Sequence, residues 1–307
     1  MSNFLKKILF FVIIFSFFTF IPIFIFNYTF DPYGFFGDFS DNYKSEPNMR
    51  SLKNWYILEN NLKHKNLFFS NSRGGTFIFS DPTYYNMSYS MGGPHQFYED
   101  IVDLINNGVD IKSVIIMIDE YTIFNNPDIH IRLPLTIKFN RNEYFKLLNI
   151  PLSRTKISSI LSFNKQDKHL QFNINSDGSY SYNNFTIDDQ IDTLRTEILT
   201  LPPSHKTQQA FYDIEKCVTY LRSKFIDVSI GVHPISNTNY VNNIYYFEQL
   251  KSLINMLDNS DIDLFNELVI IDDKNLNSIF YDASHYSPTL AKQVINNLNY
   301  SVNNPKP

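Results

Sequence analysis

Apolar and polar positions along this chain follow two rules in turn. Ile8 to Phe26 is a 19-residue stretch without charge, in which only Ser16, Thr19 and Pro22 interrupt the apolar side chains. From Asn66 onward, short apolar runs alternate with segments of helical periodicity. The runs are Asn66–Ser70, Tyr85–Ser90, Ser113–Ile118, Asp227–Val232 and Leu268–Ile271. Each is bounded by small or polar residues and reads as a strand. Between them, Gln96–Asn107 places Phe97, Ile101, Leu104 and Ile105 on one helical face, and Gly108 suits its end. Gln208–Phe225 does the same with Phe211, Ile214, Val218 and Leu221; Ile244–Leu257 and Ser287–Leu298 complete the set, the last opened by Ser287-Pro288. The unbroken run SVIIMI at 113–118 suits a central strand covered on both faces. Strands joined by helices predict an α/β fold with a parallel sheet and right-handed crossovers.

The alternation fails between 121 and 205, where the chain is polar, Asn-rich and weakly periodic, with breakers at Asn149-Ile150-Pro151 and Asp177-Gly178. So long a stretch is not a bare loop. It predicts an insertion over the active edge with helices or a hairpin of its own. The expected organisation is an anchor at 1–27, a lead-in at 28–63 with a turn-rich Phe30–Gly37 exit and a helix near Ser51–Asn61, and an α/β domain at 64–307 carrying the insertion.

As a helix, Ile8–Phe26 spans roughly 28 Å, close to the hydrocarbon thickness of a bilayer. It is longer than the apolar region of a typical signal peptide, and no A-x-A-like site follows it, which favours a signal anchor over the alternative of a cleaved signal peptide. Lys6-Lys7 before it favour a cytoplasmic N-terminus, which puts the α/β domain outside the cytoplasm as a single-pass anchored protein.

Composition narrows the chemistry. Hydrophobic residues are 43% and aromatics 16% of the 307, enough for a packed core. A net charge of −5 offers no basic footprint for nucleic acid. The single Cys217 excludes an intrachain disulfide and a multi-cysteine metal site, and fits a buried helical position. His64, His95, His130, His169 and His205 show no metal-ligand spacing. No cofactor is expected.

The chemistry-bearing stretch is Leu67-Phe68-Phe69-Ser70-Asn71-Ser72-Arg73-Gly74-Gly75. A strand stops abruptly at a tight turn, at the sheet edge where open α/β folds bind ligands. Ser72 is the candidate nucleophile. A hydroxyl needs a base, and Asp282-Ala283-Ser284-His285 supplies one just before the last helix. The three-residue offset lets Asp282 reach Nδ1 of His285 while Nε2 points outward. Oxyanion donors are expected from the Ser72 or Arg73 backbone N–H and from Gly92 or Gly93 at the end of the second strand. Arg73 suits an ion pair with Asp119 or Glu120, or an anionic substrate group. Asn71 and His233, the latter ahead of Pro234 at a strand end, are further candidates for substrate contact.

These motifs resemble the SGNH (GDSL-type) hydrolase superfamily. Ser70-Asn71-Ser72-Arg73 is similar to its first block, Gly92-Gly93 to the second, and Asp282-Ala283-Ser284-His285 to the fifth, D-x-x-H. The resemblance covers most of 64–300 outside the insertion. It implies a three-layer, doubly wound, mostly parallel five-stranded sheet of flavodoxin-like type. It also implies a Ser72–His285–Asp282 triad with an oxyanion hole of Ser72, Gly92 and Gly93. Two positions depart from the pattern: Ser70 stands for the first glycine, and Met117-Ile118-Asp119-Glu120 stands where block three has G-x-N-D. Asp31-Pro32-Tyr33-Gly34 behind an anchor resembles extracytoplasmic members that handle acyl groups on surface glycans, among them alginate O-acetylation and teichoic acid D-alanyl transfer proteins. That implies an acylated glycan or small acyl ester as substrate and a multi-spanning acyl donor protein as partner. Transfer and hydrolysis both stay open. So do a phosphodiester or lipid esterase on the same triad, and a non-catalytic binding or assembly protein on this scaffold.

Overall fold

The structure is a computed structural model and describes residues 3–30, 49–90, 92–119, 122–123, 172–182, 205–258, 270–271 and 286–303. The first helix, α1 (Asn3–Phe30), is long and apolar enough to cross a membrane, as its composition requires. Its Phe, Ile and Leu side chains point outward along most of its length. Thr19 Oγ1 donates to the Phe15 carbonyl at 2.8 Å, so this polar group is satisfied within the helix. Towards the end of α1, Phe24 packs on the main core and Asn27 is buried.

The lead-in helix α2 (Met49–Glu59) contributes Met49, Leu52 and Ile57 to that core. Strand β1 (Asn66–Phe69) runs into a 3-10 turn at Ser72–Thr76 and then β2 (Tyr84–Asn86). Helix α3 (Pro94–Asn106) leads to β3 (Ser113–Ile118). Arg50 ties α2 to α3 through Asp100 at 2.7 Å and Glu99 at 3.1 Å. Within the predicted insertion, β4 (Phe172–Ile174) and β5 (Tyr180–Tyr182) form an antiparallel hairpin. The Asp177-Gly178 breaker is its turn, and the Asp177 carbonyl accepts from the Asn86 N–H at 2.7 Å, which seats the hairpin on β2. Helix α4 (His205–Ser223) precedes β6 (Asp227–Val232). Then come β7 (Ile235–Ser236), α5 (Asn237–Asn242), α6 (Ile244–Asp258), β8 (Ile270–Ile271) and α7 (Pro288–Asn303).

Four strands form one wholly parallel sheet in the order β2-β1-β3-β6. Period-two alternation sorts their side chains to opposite faces. Leu67, Phe69, Val114, Ile116, Ile118, Ile230 and Val232 join the core shared with α2, α3, α4 and α6. Phe68, Ile115 and Met117 face the core built with Leu290, Ala291, Val294 and Ile295 of α7. Helices therefore cover both faces, as the continuous apolar run of β3 required.

Among the described residues the fifth strand expected of the sheet is not paired with it. Ile235 and Ser236 of β7 pair in parallel with Ile270 and Ile271 of β8 in a separate two-stranded ladder. The main ladder itself ends at His233-Pro234. The His233 N–H closes the main ladder by donating to the Ile118 carbonyl at 2.9 Å, and Pro234 has no N–H with which to continue it. The expected second strand is also shorter than Tyr85–Ser90. Even so, Met87 and Tyr89 still donate to the Phe68 and Ser70 carbonyls at 2.7 and 3.2 Å, so the chain follows β1 beyond Asn86.

Candidate functional site

The strand order reverses between β1 and β3, which lie side by side while their following connections run to opposite sides of β1. A crevice outside the carboxyl ends of such strands is where open α/β sheets place ligands. Here the first residues beyond three adjacent strands are Ser70 after β1, Asp119 after β3 and His233 after β6. All three are buried, and each serves the turn at 70–76.

Ser70 Oγ lies 2.5 Å from His233 Nε2, and His233 Nδ1 lies 2.5 Å from the Tyr286 hydroxyl. Ser70, His233 and Tyr286 are each 0% exposed, so this is an internal chain of polar groups with no face to solvent. Burial holds the Tyr286 phenol well above its ordinary value; the field of Asp119 adds to this and that of Arg73 opposes it, so the phenol keeps its proton. Phe77 braces both rings edge-on, with centroids 6.0 Å from His233 and 5.9 Å from Tyr286.

Asp119 is the second anchor. Its carboxylate accepts from Asn71 Nδ2 at 2.5 Å and from the Thr122 N–H and Oγ1, both at 2.8 Å, and pairs with Arg73 Nε at 3.2 Å. Burial alone would raise this carboxyl. The charges of Arg73 and His233, with the Thr122 and Asn71 hydrogen bonds, outweigh it and hold the group below the ordinary carboxylate range. Arg73 is in contact with Asp119, one of its two expected partners; the other, Glu120, lies outside the described residues. Asn71 also caps the 3-10 turn, its Oδ1 accepting from the Arg73 N–H at 2.9 Å.

Asn86 makes a third clamp. Its fully buried Nδ2 donates to the Gly74 and Phe77 carbonyls at 2.8 and 2.9 Å, while its Oδ1 accepts from the Ser88 N–H at 2.9 Å. From the insertion hairpin, Tyr180 lays its ring against Gly75 and brings its hydroxyl 3.5 Å from the Ser72 carbonyl. Lys53 Nζ lies 4.9 Å from the centroid of that ring and donates to the Ser88 carbonyl. Burial depresses the lysine well below its usual value.

The turn is thus held at Ser70, Asn71, Arg73, Gly74 and Gly75, and Ser72 is half-buried among residues fixed on either side of it. A Cβ on Gly74 would come within 2.4 Å of Ser70 Cβ and 2.7 Å of Ser88 Oγ. Gly74→Ala should therefore cost about 1–3 kcal/mol through overpacking. A urea titration checks this, and an unchanged midpoint would contradict the tight seat described for the turn.

The residues expected to form the oxyanion hole are differently engaged. The Gly92 N–H donates to the Tyr89 carbonyl at 3.1 Å, and the Gly93 N–H donates to Gln96 Oε1 at 2.8 Å as part of the α3 cap. The Arg73 N–H is taken by Asn71. Gly92 nevertheless sits beside the turn, since a Cβ there would lie 3.1 Å from the Ser70 carbonyl. Asp282 and His285 lie outside the described residues. Tyr286, which directly follows His285 in the chain, is within them and is fixed to His233.

Ser70, Asp119, Asn86 and Tyr286 are the site residues that motif spacing passes over. The signal for the first two is positional: each is the first polar residue after an apolar strand. Among the described residues no cluster of His, Cys, Asp and Glu fits a metal ion. No protein-family model, curated protein or solved structure matches the chain.

Proposed function

We propose that this protein is a membrane-anchored serine acyl-ester enzyme, an O-acyltransferase or esterase, acting outside the cytoplasm on a surface polysaccharide or glycoconjugate. The observation that carries this reading is the bond between Tyr286 and His233, whose second nitrogen meets Ser70. It holds Tyr286, the residue that follows His285 in the sequence, at the sheet edge that carries Ser70 and the serine turn, and this supports the reading.

In the proposed reaction, His285 Nε2 takes the proton of Ser72 Oγ–H as that oxygen bonds to the ester carbonyl carbon. Asp282 holds the ring through Nδ1 and stabilises the imidazolium. Collapse of the tetrahedral intermediate breaks the bond to the leaving alcohol, which carries away the proton from His285. A sugar hydroxyl or water then attacks the acyl-serine with its proton passing to His285, and Ser72 is regenerated. The charge on the intermediate needs donors. The Ser72 N–H at the head of the 3-10 turn, and Gly92 or Gly93 after their present bonds are exchanged, fill that role. The acyl group reaches the site from a small ester or from a multi-spanning donor protein in the same membrane.

A second reading has its own support. Asp119 occupies the position where the SGNH pattern carries a neutral asparagine, and its charge is fully used by the turn. A non-catalytic binding or assembly protein of a surface polysaccharide would keep that arrangement at no cost to a reaction. Fluorophosphonate labelling of the full chain in detergent, together with p-nitrophenyl acetate turnover, decides between them. The enzyme reading expects covalent labelling and turnover of short acyl esters. Absence of both, in protein shown to be folded, leaves the binding reading.

A further inference from the structure

The opposite edge of the sheet carries an anomaly unrelated to the serine turn. Helices α3 and α4 end in the same backbone motif. After α3, the Gly108 N–H donates to the Ile105 carbonyl and the Val109 N–H to the Leu104 carbonyl, at 3.0 and 3.1 Å. After α4, the Phe225 N–H donates to the Arg222 carbonyl and the Ile226 N–H to the Leu221 carbonyl, again at 3.0 and 3.1 Å. Both are Schellman ends, whose penultimate residue adopts a left-handed backbone and is usually glycine. Gly108 has φ +86°. At the equivalent place stands Phe225 with φ +57°, the one non-glycine residue with positive φ among those described. Its side chain is 97% exposed. A left-handed phenylalanine is unfavourable, and this ring recovers nothing by burial within the domain.

A second large apolar side chain shares the edge. Leu62, in the connection from α2 to β1, is 87% exposed. The backbone bonds Lys112 N–H to Lys65 carbonyl and Asp227 N–H to Lys112 carbonyl, 2.7 and 3.0 Å, run straight across the edge between the two connections. They place the Lys65 and Asp227 backbones about two strand spacings apart, roughly 10 Å, with Leu62 three residues before the one and Phe225 two before the other. Exposed Lys63, Lys112 and Lys224 stand among them with half-buried Lys65. Of the carboxylates there, Asp110 is bridged to Lys65 and Lys112 at 3.1 and 2.8 Å, and Glu59, Asp81 and Asp227 are the other exposed acids at this edge.

We propose that this amino edge, led by Phe225 and Leu62, docks on the headgroup layer of the bilayer that α1 spans. The partner is one the chain brings with it: Phe24 and Asn27 near the end of α1 pack on the domain, so the domain stands at the membrane surface. Apolar side chains ringed by long-stemmed lysines suit the boundary between acyl chains and anionic headgroups. In this orientation the Ser70–Ser72 edge is turned away from the lipid by the length of β3, about 20 Å. That favours a water-borne glycan acceptor over a lipid one.

The inference rests on α1 spanning a bilayer, which flotation of the full chain with vesicles reads separately. For docking, the sole tryptophan is removed with Trp55→Phe, and Phe225→Trp and Met256→Trp are compared, Met256 being an exposed position on α6. The reconstituted full chain is measured in phosphatidylcholine vesicles with and without phosphatidylglycerol and a shallow nitroxide lipid. The expected result is a blue-shifted emission from the Phe225→Trp chain, quenched at least about twofold more than that of the Met256→Trp chain, and more strongly with phosphatidylglycerol. Equal quenching of the two chains overturns docking while leaving the anchor intact. A blue shift without lipid quenching assigns the edge to a second copy of the chain and also overturns it. Failure to float overturns both. Phe225→Gly should raise the unfolding midpoint and leave flotation unchanged; a lower midpoint would assign the ring to the fold instead.

Discussion

Asp119→Ala is expected to destabilise the domain by about 3–5 kcal/mol, the usual consequence of removing one partner from a buried ion pair. The substitution takes the acceptor from Asn71, Thr122 and Arg73 together, and it leaves the nearly buried Arg73 guanidinium without its carboxylate. Urea or thermal unfolding measures the loss. A midpoint within error of the wild type would mean that the strand-end network does not hold the turn. Asp119→Asn keeps an acceptor for Thr122 and should cost less. The acid limb of the stability profile gives a second readout. Because the folded carboxyl lies below its ordinary value of 3.8, its contribution is fully present above that value. It is lost as the pH falls from there through the lower folded value, since the unfolded chain binds the proton more readily. The wild type should therefore lose stability more steeply with acid in that window than Asp119→Asn. Parallel curves would contradict the assigned charge state.

Ser72→Ala is expected to reduce p-nitrophenyl acetate turnover by about 10³-fold or more and to abolish fluorophosphonate labelling, as removal of a triad nucleophile does. Ser72 is half-buried and the turn around it is held by Ser70, Asn71, Arg73 and Asn86, so the variant should fold with a midpoint close to that of the wild type. His285→Ala and Asp282→Ala should fall in the same direction, and combining them with Ser72→Ala should add little, because members of the proposed triad would act as a unit. Ser70→Ala gives a useful contrast. It removes a buried partner of His233 and should lower stability while leaving the labelled residue the same. Labelling retained in Ser72→Ala and lost in Ser70→Ala would move the nucleophile to Ser70.

Much of the sheet is legible from polarity alone. Ser113–Ile118 and Asp227–Val232 are strands at the positions their apolar runs predict, because a buried parallel strand needs apolar side chains on both faces and tolerates few others. The turn after β1 is equally visible, as the point where Phe69 gives way to small and polar residues. What polarity does not convey is which polar residue meets which. Ser70 and His233 are 163 positions apart and His233 and Tyr286 are 53 apart, so their pairing is a product of strand order and not of local spacing. Motif spacing directs attention to Ser72 and leaves Ser70 looking like a substituted glycine, whereas its hydroxyl is bonded across the sheet. Asn86 is hidden for another reason. It lies inside an apparent strand, and only the fold shows its amide leaving the ladder to clamp the 3-10 turn.

Tyr180 carries a consequence for the order in which the site is assembled. Its hydroxyl meets the Ser72 carbonyl across 108 positions of sequence. Closing a loop of that length costs on the order of 4 kcal/mol of chain entropy before any contact is gained. Strands β1 and β2 pair across 18 positions and β1 and β3 across 47, so the hairpin is expected to dock after these three strands have formed. The same asymmetry runs backwards in the native state. Partial opening should release the hairpin first, baring the Gly75 side of the turn while β1, β2 and β3 remain paired. Amide exchange at Tyr180 should then be faster than at Ile116 by orders of magnitude, making the mouth of the site a separately breathing unit on a rigid floor.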